Sequence, residues 1–426
     1  MKSLLAAAAL AASVPFYSTP FEKQPDVAHM AAAGRALFFD ASLSASGRTS
    51  CASCHDPAHA YGPPNARAVQ LAGPDGKTPG LRAVPSLRYL HKVPAFTEHF
   101  FESDGNDAED QGPAGGHTWD GRAQSLHEQA ALPLLSPFEM ANRDAADVVA
   151  RARRSPNARI LREAFGEHVL DDPERGFHAI VMSLEVFQQD PAEFYPYDSK
   201  YDAVLRGQAR LTPQEQHGLS LFNDPAKGNC AACHISAIKE RAFPAFSDWG
   251  FIALGVPRNR ELKMPGGKPD LGLCGPLRTD QMHRSEFCGL FKTPGLRNVA
   301  RRPVFFHNGS FRDLEQVVRF YAQRDTNPAK WYPRGPGGRV EVFDDIPANM
   351  RGNVNREPPF GGKPGGRPAL DDAEIRDIVA FLRTLDDGYR PVTPFTIGVP
   401  KNSLIRKSSS PSLSSGRAES TTTLPR

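Results

Sequence analysis

The chain has 426 residues, 40% of them hydrophobic, and a formal net charge of +3. That length leaves room for two or three domains with apolar cores of their own. The near-neutral charge carries no electrostatic footprint for nucleic acid or an anionic membrane surface, and both are excluded as expected partners.

Met1-Lys2-Ser3 and the apolar, small-residue run Leu4 to Val14 read as a secretory signal peptide over about residues 1–20, too short to span a bilayer. No later stretch approaches about 18 apolar residues, so no membrane span is expected. From Val27 to Phe39 apolar residues recur at helical spacing, and this predicted helix leads into the pentad Cys51-Ala-Ser-Cys54-His55. Asp144 to Phe187 reads as two helices. A second amphipathic segment, Thr212 to Phe222, leads into a second pentad, Cys230-Ala-Ala-Cys233-His234. The two approaches repeat each other: Gly34-Arg-Ala-Leu37-Phe38 and Gly218-Leu-Ser-Leu221-Phe222. Further on, Leu314 to Phe320 is amphipathic. Leu370 to Leu382 opens on acidic capping residues and keeps 375, 378, 379, 381 and 382 on one helical face. Residues from 391 onward are rich in Ser, Thr, Pro and Arg without apolar period, and are expected to form a disordered tail (391–426). The remaining Gly- and Pro-rich sequence predicts long irregular loops and few strands.

In Cys-x-x-Cys-His two thiols link to the haem vinyl groups and the histidine becomes the proximal iron ligand. With six Cys and 13 His, chance supplies only about 0.0025 such pentads in a chain of this length. A zinc or thioredoxin-type reading needs further ligands at matching spacing or a strand leading into the motif, and neither is present. The sequence therefore predicts two covalently bound haem c groups held by Cys51, Cys54 and His55, and by Cys230, Cys233 and His234. Such attachment is extracytoplasmic in bacteria, which together with the leader predicts the periplasm. The two remaining cysteines, Cys274 and Cys288, are an even pair in an oxidising compartment, and a disulfide is expected, with buried free thiols as the alternative. The expected fold is mainly α: two cytochrome-c-like domains, 24–205 and 206–390, each with one covalently bound haem.

Ordered blocks across the chain resemble the bacterial dihaem cytochrome c peroxidase family, including its MauG-type members. They include Leu37-Phe-Phe-Asp40, Trp119-Asp-Gly-Arg-Ala123, Pro137-Phe-Glu-Met140, Phe291-Lys-Thr-Pro294 and Phe306-His-Asn-Gly309. The nearest likeness is to the MbnH-like dihaem enzymes, through Phe320-Tyr321-x-x-Arg324-Asp-Thr-Asn-Pro328 and Trp331-Tyr-Pro333. The resemblance implies that the second haem takes a sixth ligand 14 residues after His307. Family peroxidases place Met there; this chain has Tyr321, as MauG-like enzymes do. Phenolate is a hard donor that favours oxidised iron. Ionising the phenol at neutral pH costs about 4 kcal/mol, which ferric iron offsets. Taken without the family, Tyr321 would simply pack on its helix.

Many family peroxidases cap the first iron with a second His about 16 residues after the pentad. Leu71 stands there, so an open first iron is expected, with His91 and His99 as the exceptions. The resemblance also assigns Glu139 as acid and base for O–O cleavage, with Gln129 orienting peroxide. It assigns Pro133 as shaping the distal face, Trp119 as the indole between the haems, and His307 as a hydrogen-bonding neighbour of the second haem. A family calcium ligand falls on Tyr89, a poor substitute for an amide oxygen, so calcium is left open; oxygens of the acidic stretch Glu102 to Asp110 could compensate. Three functions are weighed. The first is a MauG/MbnH-like enzyme in which hydrogen peroxide forms a high-valent dihaem state that oxidises a partner protein's side chain, for example Trp. The second is a cytochrome c peroxidase fed by a small cytochrome or cupredoxin. The third is a non-enzymatic dihaem electron carrier. Homodimerisation is left open.

Overall fold

Helices supply nearly all the regular structure. The computed structural model describes residues 21–101, 110–239 and 241–390. The expected signal peptide, the C-terminal tail and most of the acidic stretch Glu102 to Asp110 lie outside the described residues. In chain order the helices are α1 (Val27–Phe38), the single turn α2 (Cys51–Cys54), α3 (Leu126–Leu135), α4 (Ala145–Arg154), α5 (Ala158–Phe165) and α6 (Pro173–Gln188). Then come α7 (Pro191–Phe194), α8 (Lys200–Leu205), α9 (Pro213–Asn223), α10 (Leu314–Gln323) and α11 (Asp372–Arg383). Strands among the described residues are two-residue pairs: β1 (Leu71–Ala72) with β2 (Thr78–Pro79), and β3 (Phe251–Ile252) with β4 (Phe291–Lys292), both antiparallel. No helix among the described residues is long and apolar enough to cross a membrane.

Capping chemistry sets the helix ends. Thr212 and Glu215 form a capping box that starts α9, and Asp371 and Glu374 do the same for α11. The span 144–187, expected as two helices, holds three. Ser155-Pro156 stops α4, because a residue before proline is driven out of the helical region. Gly166, at φ +111°, stops α5, and Pro173 opens α6.

The buried apolar residues gather into two large clusters, one drawn from Ala33 to Phe194 and the other from Tyr201 to Leu385. A small third cluster surrounds the Cys274–Cys288 disulfide, whose Cα atoms are 4.9 Å apart. The two large clusters are built alike. Helix α1 crosses α6 where a Cβ on Gly34 would overlap the Ser183 carbonyl, and α9 crosses α11 where a Cβ on Gly218 would overlap the Asp377 carbonyl. One helical turn later Phe38 meets Phe187 at 5.4 Å between ring centroids, and Phe222 meets Phe381 at 5.3 Å, both edge-on. All four rings are fully buried, each stabilising its cluster by about 1.5–3 kcal/mol. The sequence repeat is thus a repeat of one helix crossing, and each crossing delivers the chain into a pentad.

Candidate functional site

Both pentads open onto one largely apolar cavity of about 740 Å³, bordered by Cys54, His55, Cys230, Cys233 and His234. In the first, α2 lifts Cys51 against the N-terminal cluster and turns Cys54 toward the cavity. His55 then leaves the helix, and its Nδ1 lies 3.1 Å from the Tyr61 carbonyl. A carbonyl only accepts, so Nδ1 carries the proton and Nε2 keeps its lone pair. His234 repeats the arrangement, with Nδ1 2.8 Å from the Phe246 carbonyl. Burial pushes both imidazoles down to about 4, so both are neutral at pH 7. A neutral ring anchored through Nδ1 is the state a metal-ligating histidine needs.

The four pentad cysteines are unbonded, and burial pushes their thiols up to about 12. No cluster of three or more His, Cys, Asp or Glu able to hold a metal ion occurs among the described residues. A four-ligand zinc site is therefore not assembled around either pentad. Free thiols, an oriented imidazole and an apolar cavity beside them fit haem c.

Around the first pentad, α3 and the turn after it supply the polar groups. Gln129 and Pro133 border the cavity from successive turns of α3, while Leu126, His127, Ala130 and Leu134 are buried on its other side. Pro133 has no N–H, so the Gln129 carbonyl has no helical donor. The turn ends at Glu139, which also borders the cavity and whose charge bears on both Cys51 and Cys54. Burial holds its carboxyl above the usual range, against the opposing pull of the Ser136 hydroxyl and the Arg122 charge. Leu71 is exposed on β1. His59 pairs with Asp56 at 2.8 Å and His99 with Asp110 at 2.5 Å. His91 stacks on Tyr195 at 3.9 Å, and none of these three borders the cavity.

On the other side, α10 carries Tyr321 to the second pentad. Its ring lies 5.3 Å from Phe360 and 6.2 Å from Phe306, and burial, helped by the nearby Cys233 and Cys230 sulfurs, raises its hydroxyl well above the usual phenol range. Phe320, next along, is buried against Phe311 and Trp331, so only Tyr321 of this pair borders the cavity. His307 stacks flat on Phe291 at 3.5 Å; its Nε2 is buried without a hydrogen bond, 3.8 Å from Asp345. Trp119 borders the same cavity, and its Nε1 donates to the Ala83 carbonyl at 2.8 Å. The adjoining Asp120 is fully buried between Arg82 at 2.7 Å and Arg122 at 2.8 Å, which hold its carboxyl far below the usual range. Arg82 reaches on to Asp270, also at 2.7 Å, tying the Trp119 loop to the loop before Cys274.

Tyr89 is buried, and its hydroxyl donates to Asp387 at 2.6 Å. Three cavity groups escaped sequence reading: His117, buried with an unpartnered Nδ1; Lys292, bonded to the Gly116 carbonyl and pushed down to about 7 by burial; and Arg302. Their polar side chains carry no periodic signal; only their place beside the Trp119 block, within the Phe291 block and just before the Phe306 block marks them.

Paired pentads on one apolar cavity, with a carboxyl facing one and a phenol facing the other, define the class: a dihaem peroxidase-type oxidoreductase. The profile of the family described as "Di-haem cytochrome c peroxidase" matches residues 28–210. Methylamine utilization protein MauG of Paracoccus denitrificans is 37% identical over 409 residues, covering 92% of this chain and 97% of that protein. The crystal structure of the diheme peroxidase BthA from Burkholderia thailandensis superposes with a TM-score of 0.75 at 38% identity, covering 88% of this chain and 89% of that one. Cytochrome c peroxidase Ccp of Escherichia coli is 26% identical over 87% of this chain and 61% of its own. The chain belongs to the dihaem cytochrome c peroxidase and MauG family, which carries two c-type haems.

Proposed function

We propose that this protein is a MauG-like periplasmic enzyme that uses hydrogen peroxide to oxidise a side chain of a partner protein, Trp being a candidate. It would be built from two cytochrome-c-like domains, 24–205 and 206–390. The two core clusters and their matching glycine crossings support that division. The observation that carries the functional reading is Tyr321, a phenol where a peroxidase would present a thioether, bordering the cavity beside the second pentad.

When bound, the two haems supply the redox chemistry, accepting the oxidising equivalents of peroxide. The chain's part is attachment, orientation and proton movement. Cys51, Cys54, Cys230 and Cys233 would hold the haems through thioether links, and His55 and His234 would offer their neutral Nε2 lone pairs to the irons. Tyr321 would help hold the second haem through its hydroxyl oxygen, giving up the phenol proton to do so. The carboxylate of Glu139 takes the proton from the near oxygen of peroxide and returns it to the far one. The Gln129 amide orients the peroxide, and Pro133 keeps that face free of a side-chain donor. Trp119 offers a π-system on the shared cavity, and His307 contributes a hydrogen-bonding Nε2 near the second haem. The leader-like N-terminus and the disulfide support the periplasmic assignment.

The alternative is a cytochrome c peroxidase that reduces peroxide with electrons from a small cytochrome or cupredoxin, favoured by the curated peroxidases among the relatives. Titrating the purified ferric protein with hydrogen peroxide, without reductant, separates the two by EPR and optical spectra. Loss of one high-spin and one low-spin ferric signal at stoichiometric peroxide is expected. Two low-spin signals that respond only after half-reduction would assign the peroxidase reading.

A further inference from the structure

Five arginines border the cavity: Arg82, Arg88, Arg122, Arg297 and Arg302. Four are neutralised by carboxylates at 2.7–2.8 Å: Arg82 by Asp120 and Asp270, Arg88 by Asp387, Arg122 by Asp120 and Arg297 by Asp202. Arg302 is not. Among the described residues no carboxylate lies within ion-pair distance of it, and its hydrogen bond is from Nη2 to the Val84 carbonyl at 3.0 Å. Burial alone pushes it down to about 10, and its charge bears on His55.

Arg302 is half-buried at the cavity wall, and a guanidinium drawn out of water without a counter-charge is disfavoured. The other four arginines meet the condition that buried charges be paired, within a few residues of the same cavity. Arg302 meets it only if an anion enters the cavity with the ligand. Its guanidinium offers two parallel N–H donors, the geometry that suits a carboxylate.

We infer that Arg302 binds a propionate carboxylate of the haem attached at the first pentad, and is a positioning residue for that haem. The inference rests on the dihaem reading of the cavity and adds to it a specific anchor. The segment Asn298 to Arg302 then does two tasks. Asn298 and Arg301 hold Asp387 and its backbone carbonyl, while Arg302, next along, faces the opposite way into the cavity. The charge it places near the haem favours the reduced iron, so Arg302 also sets the first haem's potential.

The test compares wild type, Arg302→Gln and Arg302→Lys as purified haem-loaded proteins, with the haem count taken from the pyridine haemochrome spectrum. Redox titration gives the first haem's midpoint potential, and resonance Raman gives its propionate-bending band. In Arg302→Gln the midpoint falls and the band moves to lower frequency as the hydrogen bonds weaken. In Arg302→Lys, which keeps the charge but cannot form the parallel pair, the midpoint is largely restored and the band stays displaced. If Arg302→Gln does not retain haem, the band in Arg302→Lys decides. Midpoint and band unchanged from wild type, with two haems bound, overturn the assignment. A wild-type count below two haems overturns the dihaem reading instead.

Discussion

The hydroxyl of Tyr89 donates to Asp387 Oδ1 at 2.6 Å, joining residues 298 positions apart in the chain. The other oxygen of Asp387 accepts from Arg88 at 2.7 Å and from Asn298 at 2.6 Å. Tyr89 sits at φ +64°, a left-handed conformation that a tyrosine adopts only when its surroundings over-determine it. Arg297 lies 4.6 Å over the Tyr89 ring. The position that the family resemblance gives to a calcium ligand is thus committed to a carboxylate and faced by a guanidinium.

That arrangement predicts indifference to calcium. Incubation with a strong chelator is expected to leave the thermal midpoint and the optical spectrum unchanged, and added calcium to restore nothing. Tyr89→Phe, by contrast, leaves an acceptor of Asp387 unmade and should lower stability by about 1–3 kcal/mol in denaturant titrations. A chelator-induced drop in thermal midpoint would sink this account.

Glu139 makes a pH prediction with a definite sign. Burial raises its folded-state pKa above the unfolded value. Its contribution to stability is therefore fully present below the unfolded carboxylate pKa and is lost as pH rises through the folded one. Accepting the first proton of peroxide needs the carboxylate form, so the rate of the ferric protein's reaction with peroxide should climb with pH through that raised pKa. Glu139→Gln is expected to slow the reaction by roughly 10²–10⁴-fold and flatten the climb, with the resting spectrum retained. Stopped-flow traces across pH 4–8 (about four units around the usual carboxylate range) measure both. An equal climb in the Gln variant would assign the proton transfer to another group.

Much of the site was legible because haem attachment is a local motif. The pentads, the helices leading into them and the capping of α11 are all short-range chemistry. Tyr321 was singled out only through the family resemblance, which sets a ligand position 14 residues after His307; its helix alone would make it a packing residue. What escaped reading is long-range: Asp387 meeting Tyr89, Asp120 meeting Arg82, and Arg302 left without a carboxylate among the described residues. Such pairings depend on how loops from distant parts of the chain are laid beside each other. The long loops here have no period to announce it. The three-for-two helix count in 144–187 has a different cause, since apolar spacing continues across Ser155-Pro156 while the backbone cannot.

The matching crossings at Gly34 and Gly218 are testable by substitution. A methyl at either position overlaps a backbone carbonyl of the facing helix rather than a yielding side chain. Gly34→Ala and Gly218→Ala should each destabilise by about 1–3 kcal/mol, outweighing the roughly 0.5–1 kcal/mol that alanine contributes inside a helix. Because each crossing delivers the following pentad, each variant should also lose haem at its own pentad first. Peptide mapping of haem-bearing fragments reads this directly, and equal loss at both pentads would mean that the crossings do not act locally.

The sharpest prediction concerns Tyr321. If its oxygen ligates the second iron, Tyr321→Met exchanges a hard anionic donor for a thioether and must raise the second haem's midpoint potential. Tyr321→Phe removes the donor and leaves the ring's contacts with Phe360 and Phe306 in place. The two variants separate ligation from packing. With ligation, both alter the low-spin ferric EPR signal, and only the Met variant recovers a six-coordinate low-spin haem. Both should lose the joint response of the two ferric signals to peroxide, while the first haem still reacts. With packing alone, Tyr321→Phe keeps the wild-type spectrum and potential, because the hydroxyl makes no contact the ring needs. That outcome would transfer the sixth position to another group and return the protein to the conventional peroxidase reading.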